Sequence, residues 1–466
     1  MACNGLRCGS SFLLGLLSGM VTLVGIFWWV FQIPGWRLFH AGMALLYLGL
    51  YPALWCAGVA LAKRGGCSCL ISAPALWVAL DYLKSHVGFL SFPWASLAHS
   101  QHDYPAILQI ASFTGEYGVT FLIVLVNTAV AALLLYRGLG PALVVAVVLV
   151  GAVVFGKYQL TVPRAMKPYR VAVVQPCIWP GEQEQNGQAD TLARLEGLTA
   201  KAAADSPQLV VWPETAVLNL PATPALGQRL NNLSEKQGVP LLVGASERVK
   251  FNDRPLRDPH ENGLRSYNAA YLIRHGQPAP PPYRKNRLVP FGEYLPLEGI
   301  IPWPSWFAEA GFQTVPGLEM TLFDLDGEMR AGVLICWENL FPEMAREAAE
   351  NGARILVNLI NDGWFGKTPA SRQHNAASVL RAVENGIPVI VASNCGPSQL
   401  IDAHGRIVAS LADSFSPGIL AAELTIGRQR TLYRRQGDLF AWVCLGIVPW
   451  LLIRFPNFRR SRKGWR

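Results

Sequence analysis

Charged residues are scarce in this sequence, and that scarcity restricts the kinds of protein it can encode. Asp, Glu, Lys and Arg together make up 15% of the 466 residues, whereas hydrophobic residues make up 51%. This composition is too apolar for an ordinary cytosolic enzyme. The net charge of +9 does not indicate nucleic-acid binding, because bases are concentrated in a C-terminal tail that directly follows an apolar segment. We therefore expect a membrane protein with no nucleic-acid partner.

A cysteine framework and a metal-binding cluster are also lacking. The nine cysteines are an odd number without regular spacing, and Cys56 and Cys444 lie inside apolar runs, where a thiol behaves as a small hydrophobic group. Cys67 and Cys69 form a close pair, but no second pair and no histidine cluster lies near them in the sequence. The sequence therefore predicts no disulfide framework, no bound metal and no organic cofactor.

Long apolar runs, in contrast, are abundant. They fill most of residues 1–160 and predict a multi-pass α-helical membrane domain with about five transmembrane helices. A final transmembrane helix is predicted at 438–454, and a basic cytoplasmic tail follows at 455–466. The apolar cores of the six predicted spans are 11–31, 38–62, 69–84, 118–136, 140–156 and 438–453.

Basic residues predict the orientation of these spans. If the six spans alternate across the membrane, Arg7, Lys63, Arg64, Arg137 and the C-terminal bases all fall on one side. The positive-inside rule makes that side cytoplasmic. The region between the fifth and sixth spans then lies on the opposite face, which in a Gram-negative bacterium is the periplasmic face of the inner membrane.

Residues 165–430 predict a soluble α/β domain, because short β-rich runs alternate there with helical stretches. Reactive side chains lie at or just after several of the predicted strands: Cys336 ends the run VLIC, Glu214 lies in VVWPET, and Lys285 begins KNRLVPFGEYLP. A thiol reacts as a thiolate and is poorly ionised at neutral pH without a nearby base and cation. Glu214 and Lys285 are candidates for these roles. The aromatic segment 301–312 predicts a lid that contacts lipid.

These motifs occur in an order that resembles a known family. WPE around Glu214, K-N-x-LVPFGEY-P from Lys285 and the triplet CWE at Cys336 look like the Glu–Lys–Cys triad of the nitrilase superfamily. The wider series resembles the apolipoprotein N-acyltransferase family, the membrane-bound branch of that superfamily, and covers nearly the whole chain. It implies a nitrilase-like αββα sandwich for the soluble domain. The further matching segments are APALW (73–77), FPW (92–94), NDGWFG (361–366) and RAVENGIP (381–388).

The resemblance implies a two-step acyl transfer. Glu214 would act as the general base, Lys285 would stabilise the oxyanion, and Cys336 would take an acyl chain from a membrane phospholipid as a thioester. The α-amine of a diacylglyceryl-cysteine lipoprotein would then accept the chain. We also expect the protein to be a monomer.

Four supporting residues are implied by the same resemblance. Glu293 and Glu338 would orient Lys285 and the substrate amine. Asn268 matches an asparagine that lies near the site in the family, and Trp337 would border the acyl chain.

Two alternatives to this function remain open at the sequence level. The first is a membrane-tethered nitrilase-like amidase that hydrolyses a small amide. The second is a specialised paralogue acting in conjugal plasmid transfer, because the chain has fewer N-terminal spans than the family usually has and so looks N-terminally shortened. Lipid dependence would separate the amidase from the acyltransferase, and complementation of the housekeeping acyltransferase would separate the paralogue.

Overall fold

The structure, a computed structural model, describes residues 7–33, 38–136, 139–162, 166–250, 264–277, 279–297, 300–303, 314–427 and 430–453. The chain divides into two compact units. One unit comprises Met1–Val162 together with Arg435–Arg466, and the other comprises Pro163–Arg434. The predicted basic tail at 455–466 lies outside the described residues.

The N-terminal part of the first unit is helical. Within the described residues, four of its helices are long and apolar enough to cross a membrane, namely Cys8–Ile26, Leu38–Arg64, Glu116–Tyr136 and Leu139–Thr161. The third predicted span is a helix but carries Asp81 and Lys84, which form an ion pair of 2.8 Å and lower its overall hydropathy. The helices are α1 Cys8–Ile26, α2 Leu38–Arg64, α3 Cys69–His86, α4 Pro105–Leu108, α5 Ala111–Thr114, α6 Glu116–Tyr136 and α7 Leu139–Thr161.

The second unit alternates strands and helices, as its sequence predicts. Its strands are rich in Val, Ile and Leu because both faces of most of them are covered. The strands are β1 Met166–Gln175, β2 Leu209–Val217, β3 Leu241–Lys250, β4 Leu264–Ile273, β5 Tyr283–Arg284, β6 Leu322–Asp326, β7 Met329–Ile335, β8 Ile355–Ile360, β9 Val389–Ser393, β10 Gln399–Ile401, β11 Ile407–Ser410 and β12 Gly418–Gly427. The helices are α8 Glu182–Ala203, α9 Pro224–Gln237, α10 Pro342–Glu350, α11 Ala370–Asn385 and α12 Leu432–Gln436.

The strands form two mixed sheets of six. The order is β12-β1-β2-β3-β4-β5 in one sheet and β11-β10-β9-β8-β7-β6 in the other. Strands β1, β2 and β3 run parallel in the first sheet, and β7, β8 and β9 run parallel in the second. The carboxyl ends of the parallel strands within a sheet therefore meet at one edge, where side chains can converge.

The core lies between the two sheets. Alternate residues of a strand point to opposite faces, so Leu209 and Val211 of β2 pack in the inter-sheet cluster while Val210 and Trp212 pack toward α8 and α9. Helices α10 and α11 contact the second sheet through β7, β8 and β9. The result is an αββα sandwich, and the fold class predicted from the sequence is confirmed.

The last helix, α13 Leu439–Ile453, returns to the first unit. It packs against α3 and α6, and its Ala441 and Cys444 share a buried apolar cluster with Ala75, Val78 and Tyr117. The described part of α13 is shorter than the four long apolar helices. Its predicted crossing of the membrane stays a prediction.

Candidate active site

Cys336 stands at the carboxyl end of β7, where the apolar run VLIC predicted a projecting thiol. Its backbone has φ of +55°, in the left-handed region that non-glycine residues rarely adopt. Such strain costs about 1–3 kcal/mol and is concentrated at functional sites, where the surrounding structure enforces it. Cys336 is partly exposed, although the strand before it is almost fully buried.

Lys285 lies between two carboxylates. Its Nζ is 2.8 Å from Oε1 of Glu293 and 3.8 Å from Oε1 of Glu214. The lysine side chain is 1% exposed, so an unpaired ammonium there would carry a large desolvation cost. The two carboxylates offset that cost and fix the ammonium, which retains a further N–H for another acceptor.

Asn268, in β4, forms a hydrogen bond with the carboxylate of Glu214, in β2 of the same sheet. Its Nδ2 donates to Glu214 Oε1 at 2.7 Å, and its backbone carbonyl accepts from the backbone N–H of Lys285 at 2.8 Å. One residue of β4 therefore positions both the predicted base and the predicted cation. The structure brings Asn268, Glu214 and Lys285 together as the motif series implies.

Glu338 is fully buried and uses both carboxylate oxygens for positioning. Its Oε1 accepts from the backbone N–H groups of Asn286 and Arg287 at 2.7 and 2.9 Å. Its Oε2 accepts from the hydroxyl of Tyr283 and from the backbone N–H of Ile335, both at 2.8 Å. The carboxylate thus joins the segment that carries Lys285 to the end of the strand that carries Cys336. This geometry favours a positioning role over a contact with the substrate amine.

Two tryptophans, one directly after Cys336 in sequence and one in the predicted lid, are held by hydrogen bonds from their indole groups. The indole N–H of Trp337, a 7% exposed side chain, donates to the carbonyl of Arg287 at 2.6 Å. Trp303 donates to the carbonyl of Pro296 at 2.8 Å and packs edge-on against Phe291 at 5.5 Å. Most of the predicted lid, 304–312, lies outside the described residues.

The ionisable groups of the site shift one another's pKa values. Burial raises the pKa of the Cys336 thiol, and the carboxylates of Glu214 and Glu293 raise it further against the lowering effect of Lys285. Burial also raises the pKa of Glu214, with Lys285 and Asn268 acting in the opposite direction. For Lys285, burial lowers the pKa, but the negative charges of Glu293, Cys336 and Glu214 outweigh it, and the pKa rises. In the resting site the proton therefore resides on the thiol and the lysine stays charged.

Residues to which sequence reasoning assigns no role complete the site. The backbone N–H of Asn361 donates to the carboxylate of Glu214, and the charge of Asp362 raises the pKa of Cys336. Oδ1 of Asp362 lies 2.9 Å from Nδ1 of His374, and both side chains are fully buried. The sequence signal for Asn361 and Asp362 is the segment NDGWFG (361–366), which matches the family but by itself assigns these residues no role.

A disulfide bond between Cys177 and Cys395 lies beside this segment. The expectation of no disulfide framework is therefore wrong for this pair, because the fold joins cysteines 218 residues apart in sequence. Asn394, adjacent to Cys395, bonds to both backbone groups of Ile178 and donates to Oδ1 of Asn361 at 2.9 Å. The disulfide thus braces the loop that supplies Asn361 to Glu214.

Comparisons with known proteins agree with this architecture. Residues 170–434 match the family described as carbon-nitrogen hydrolase, and residues 2–129 match the apolipoprotein N-acyltransferase N-terminal domain. Among solved structures, an amidase from Nesterenkonia sp. is 20% identical and covers 60% of this chain and 96% of its own, with a TM-score of 0.42. The two family matches, together with the apolar helices, show a membrane protein that carries a carbon-nitrogen hydrolase domain.

Curated relatives define the family more closely. An apolipoprotein N-acyltransferase of Geobacter metallireducens is 33% identical over 96% of this chain and 87% of the relative. The corresponding protein of Methylococcus capsulatus is 34% identical over 97% of this chain and 88% of the relative. The chain belongs to the apolipoprotein N-acyltransferase family and is an enzyme of the N-acyltransferase kind.

Proposed function

We propose that this protein transfers an acyl chain from a membrane phospholipid to the N-terminal amine of diacylglyceryl-cysteine lipoproteins through a thioester on Cys336. The observation that carries the proposal is the buried Lys285 between the carboxylates of Glu214 and the partly exposed Glu293, whose charges act on a strained cysteine at a strand end. That constellation belongs to a chain whose apolar helices match the N-terminal domain of the same family.

The first half-reaction forms the thioester. Glu214 takes the proton of the Cys336 thiol, and the thiolate attacks the ester carbonyl of the phospholipid. Lys285 Nζ donates to the oxyanion of the tetrahedral intermediate, which is the position where a fixed donor contributes most. Collapse breaks the ester bond, and the leaving alkoxide of the lysophospholipid recovers the proton from Glu214.

The second half-reaction transfers the chain to nitrogen. The neutral amine of the diacylglyceryl-cysteine attacks the thioester carbonyl, and its proton passes to Glu214 while Lys285 again holds the oxyanion. Breaking the C–S bond releases the amide product and a thiolate, which takes the proton back. Glu293 keeps Lys285 charged and oriented throughout, because it holds Nζ at 2.8 Å.

We place the second unit on the periplasmic face of a bacterial inner membrane, with the first unit crossing it in several passes. The distribution of basic residues supports this orientation. The Cys177–Cys395 disulfide supports it independently, because disulfides persist in oxidising compartments and are rare in the cytosol.

The test is an acyl-transfer assay with the purified full-length protein, phospholipid and a synthetic diacylglyceryl peptide. The proposal predicts that the peptide gains one acyl chain and that the lysophospholipid appears in equal amount. The carbon-nitrogen hydrolase match keeps an amidase as the second candidate. Turnover of a soluble amide without phospholipid, and no acylated peptide, would favour that amidase. Acyl transfer in vitro without complementation of a strain lacking its own acyltransferase would favour the specialised paralogue.

A further inference from the structure

Four arginines line one cavity in the second unit, and we name it the arginine pocket. The cavity has a volume of about 860 Å³. Its arginines come from the start of β7, the residue before β8, and the segment after β12. They are Arg330, Arg354, Arg430 and Arg434.

The arginine pocket is separate from the candidate active site. Arg330 lies near the amino end of β7, whereas Cys336 follows its carboxyl end. At about 3.3 Å per residue along a strand, the two lie roughly 20 Å apart. Ile387, just before β9, also lines the pocket. The pocket therefore lies at the amino ends of the parallel strands, opposite the edge where Cys336 lies.

The charges in the pocket are not balanced from within. Glu328 is the one acidic residue among its described lining residues. Arg330 pairs with Asp324 at 3.2 Å, and Arg434 donates to the carbonyl of Ala349. Burial lowers the pKa of Arg434, and the positive charges of Arg430 and Arg354 lower it further, with Glu350 acting in the opposite direction.

Two of the arginines are available for a ligand. Neither Arg354 nor Arg430 has a side-chain hydrogen bond or ion pair with any residue in the described part of the chain. Like-charged groups held this close repel one another, and an anion placed among them relieves the repulsion. Guanidinium groups bind phosphate through paired, geometrically matched hydrogen bonds, so clustered arginines suit a phosphate better than a simple halide.

We propose that the arginine pocket binds a phosphate-bearing anion, which is either the headgroup of an anionic phospholipid or a free phosphate. Arg430 and Arg434 belong to the short segment of chain between β12 and the apolar helix α13. The site would bind its ligand independently of acyl transfer, so it does not depend on the reaction proposed for Cys336.

The test measures lipid binding to the purified full-length protein in detergent by native mass spectrometry. All variants carry Cys336→Ala so that no lipid is consumed. The pocket variant is Arg354→Gln/Arg430→Gln. The matched control is Arg229→Gln/Arg248→Gln, which removes two exposed arginines that do not line the pocket. The probes are phosphatidylglycerol, phosphatidylcholine and inorganic phosphate.

We expect the pocket variant to bind phosphatidylglycerol on the order of tenfold more weakly than the control, with phosphatidylcholine binding unchanged. If millimolar inorganic phosphate displaces the phosphatidylglycerol from the control protein, the occupant is free phosphate; if it does not, the occupant is the lipid headgroup. Equal phosphatidylglycerol binding by the pocket variant and the control would overturn the site altogether. If the glutamine variant unfolds, Arg354→Lys/Arg430→Lys keeps the charge, removes the paired hydrogen bonds and predicts an intermediate affinity.

Discussion

The carboxylate of Glu338 offers the sharpest test of how the site is assembled, through the variant Glu338→Gln. Its two oxygens accept four hydrogen bonds: Oε1 from two backbone N–H groups, and Oε2 from the Tyr283 hydroxyl and the backbone N–H of Ile335. Glutamine replaces one oxygen with an NH₂ group, which is a donor. The least unfavourable orientation turns that NH₂ toward Tyr283, whose hydroxyl can rotate and accept, and leaves Ile335 N–H without an acceptor.

The magnitude follows from this geometry. An orphaned buried donor costs about 1–3 kcal/mol, and hydrogen bonds to a charged acceptor contribute about 1.5–3 kcal/mol each. We expect Glu338→Gln to lower the free energy of unfolding of the second unit by about 2–4 kcal/mol. For a unit of this size that corresponds to a fall of roughly 5–10 °C in the midpoint of thermal unfolding. Thioester formation should slow as well, because the segment carrying Lys285 loses its attachment to the strand end.

The assay is thermal unfolding in detergent at one fixed scan rate, since unfolding of a membrane protein is commonly irreversible and the midpoint depends on rate. The control is Glu343→Gln. It removes a carboxylate that lies 3.2 Å from the partly exposed Arg287, a residue of the segment that carries Lys285. A pair of this kind contributes about 0–1 kcal/mol, so its midpoint should change little. Equal midpoints for Glu338→Gln and the control would refute the positioning role of Glu338.

Three further predictions concern the rest of the site. Asn268→Ala removes a hydrogen bond that lowers the pKa of Glu214. Because Glu214 must be ionised to accept a proton, the acid limb of the pH profile for thioester formation should move to higher pH. An unmoved limb would contradict the assignment of Glu214 as the base. Lys285→Met should slow thioester formation about 10²–10³-fold, as loss of one oxyanion donor does. Retained near-UV circular dichroism is the folding control. A loss of activity under tenfold would exclude Lys285 as the oxyanion donor. Cys177→Ser/Cys395→Ser should lower the free energy of unfolding by about 2–5 kcal/mol. Alkylation of the denatured wild-type protein should leave these two cysteines unlabelled until reductant is added. Complete labelling without reductant would show that the disulfide is absent.

The fold was largely predictable because its signals are local. Apolar runs long enough to cross a membrane and alternating strand and helix patterns each depend on neighbouring residues, and they predicted both the helical unit and the α/β unit. The predicted span at 69–84 is a helix, and Asp81 forms an ion pair with the partly buried Lys84 within it. A helix was predictable there, but its hydropathy alone does not mark it as a membrane span.

The site was predictable only in part, because its remaining contacts join distant segments. Glu214 lies within β2, whereas Lys285 and Cys336 directly follow β5 and β7. Lys285 and Glu214 lie 3.8 Å apart, and both act on the pKa of Cys336. The disulfide of Cys177 with Cys395 links residues 218 apart, a pairing that irregular spacing does not predict. The same holds for Glu338, whose acceptor role depends on backbone groups more than 50 residues away in the chain.

The central claim is that Cys336 carries the acyl chain between donor and acceptor. The most direct test is the intact mass of the purified protein after incubation with phospholipid, measured with and without a diacylglyceryl peptide and beside Cys336→Ala. The account predicts one added acyl chain that hydroxylamine removes, that is lost as the peptide gains the chain, and that never forms on the alanine variant. A chain that transfers to the peptide with Cys336→Ala at the wild-type rate, without any adduct, would contradict the thioester mechanism.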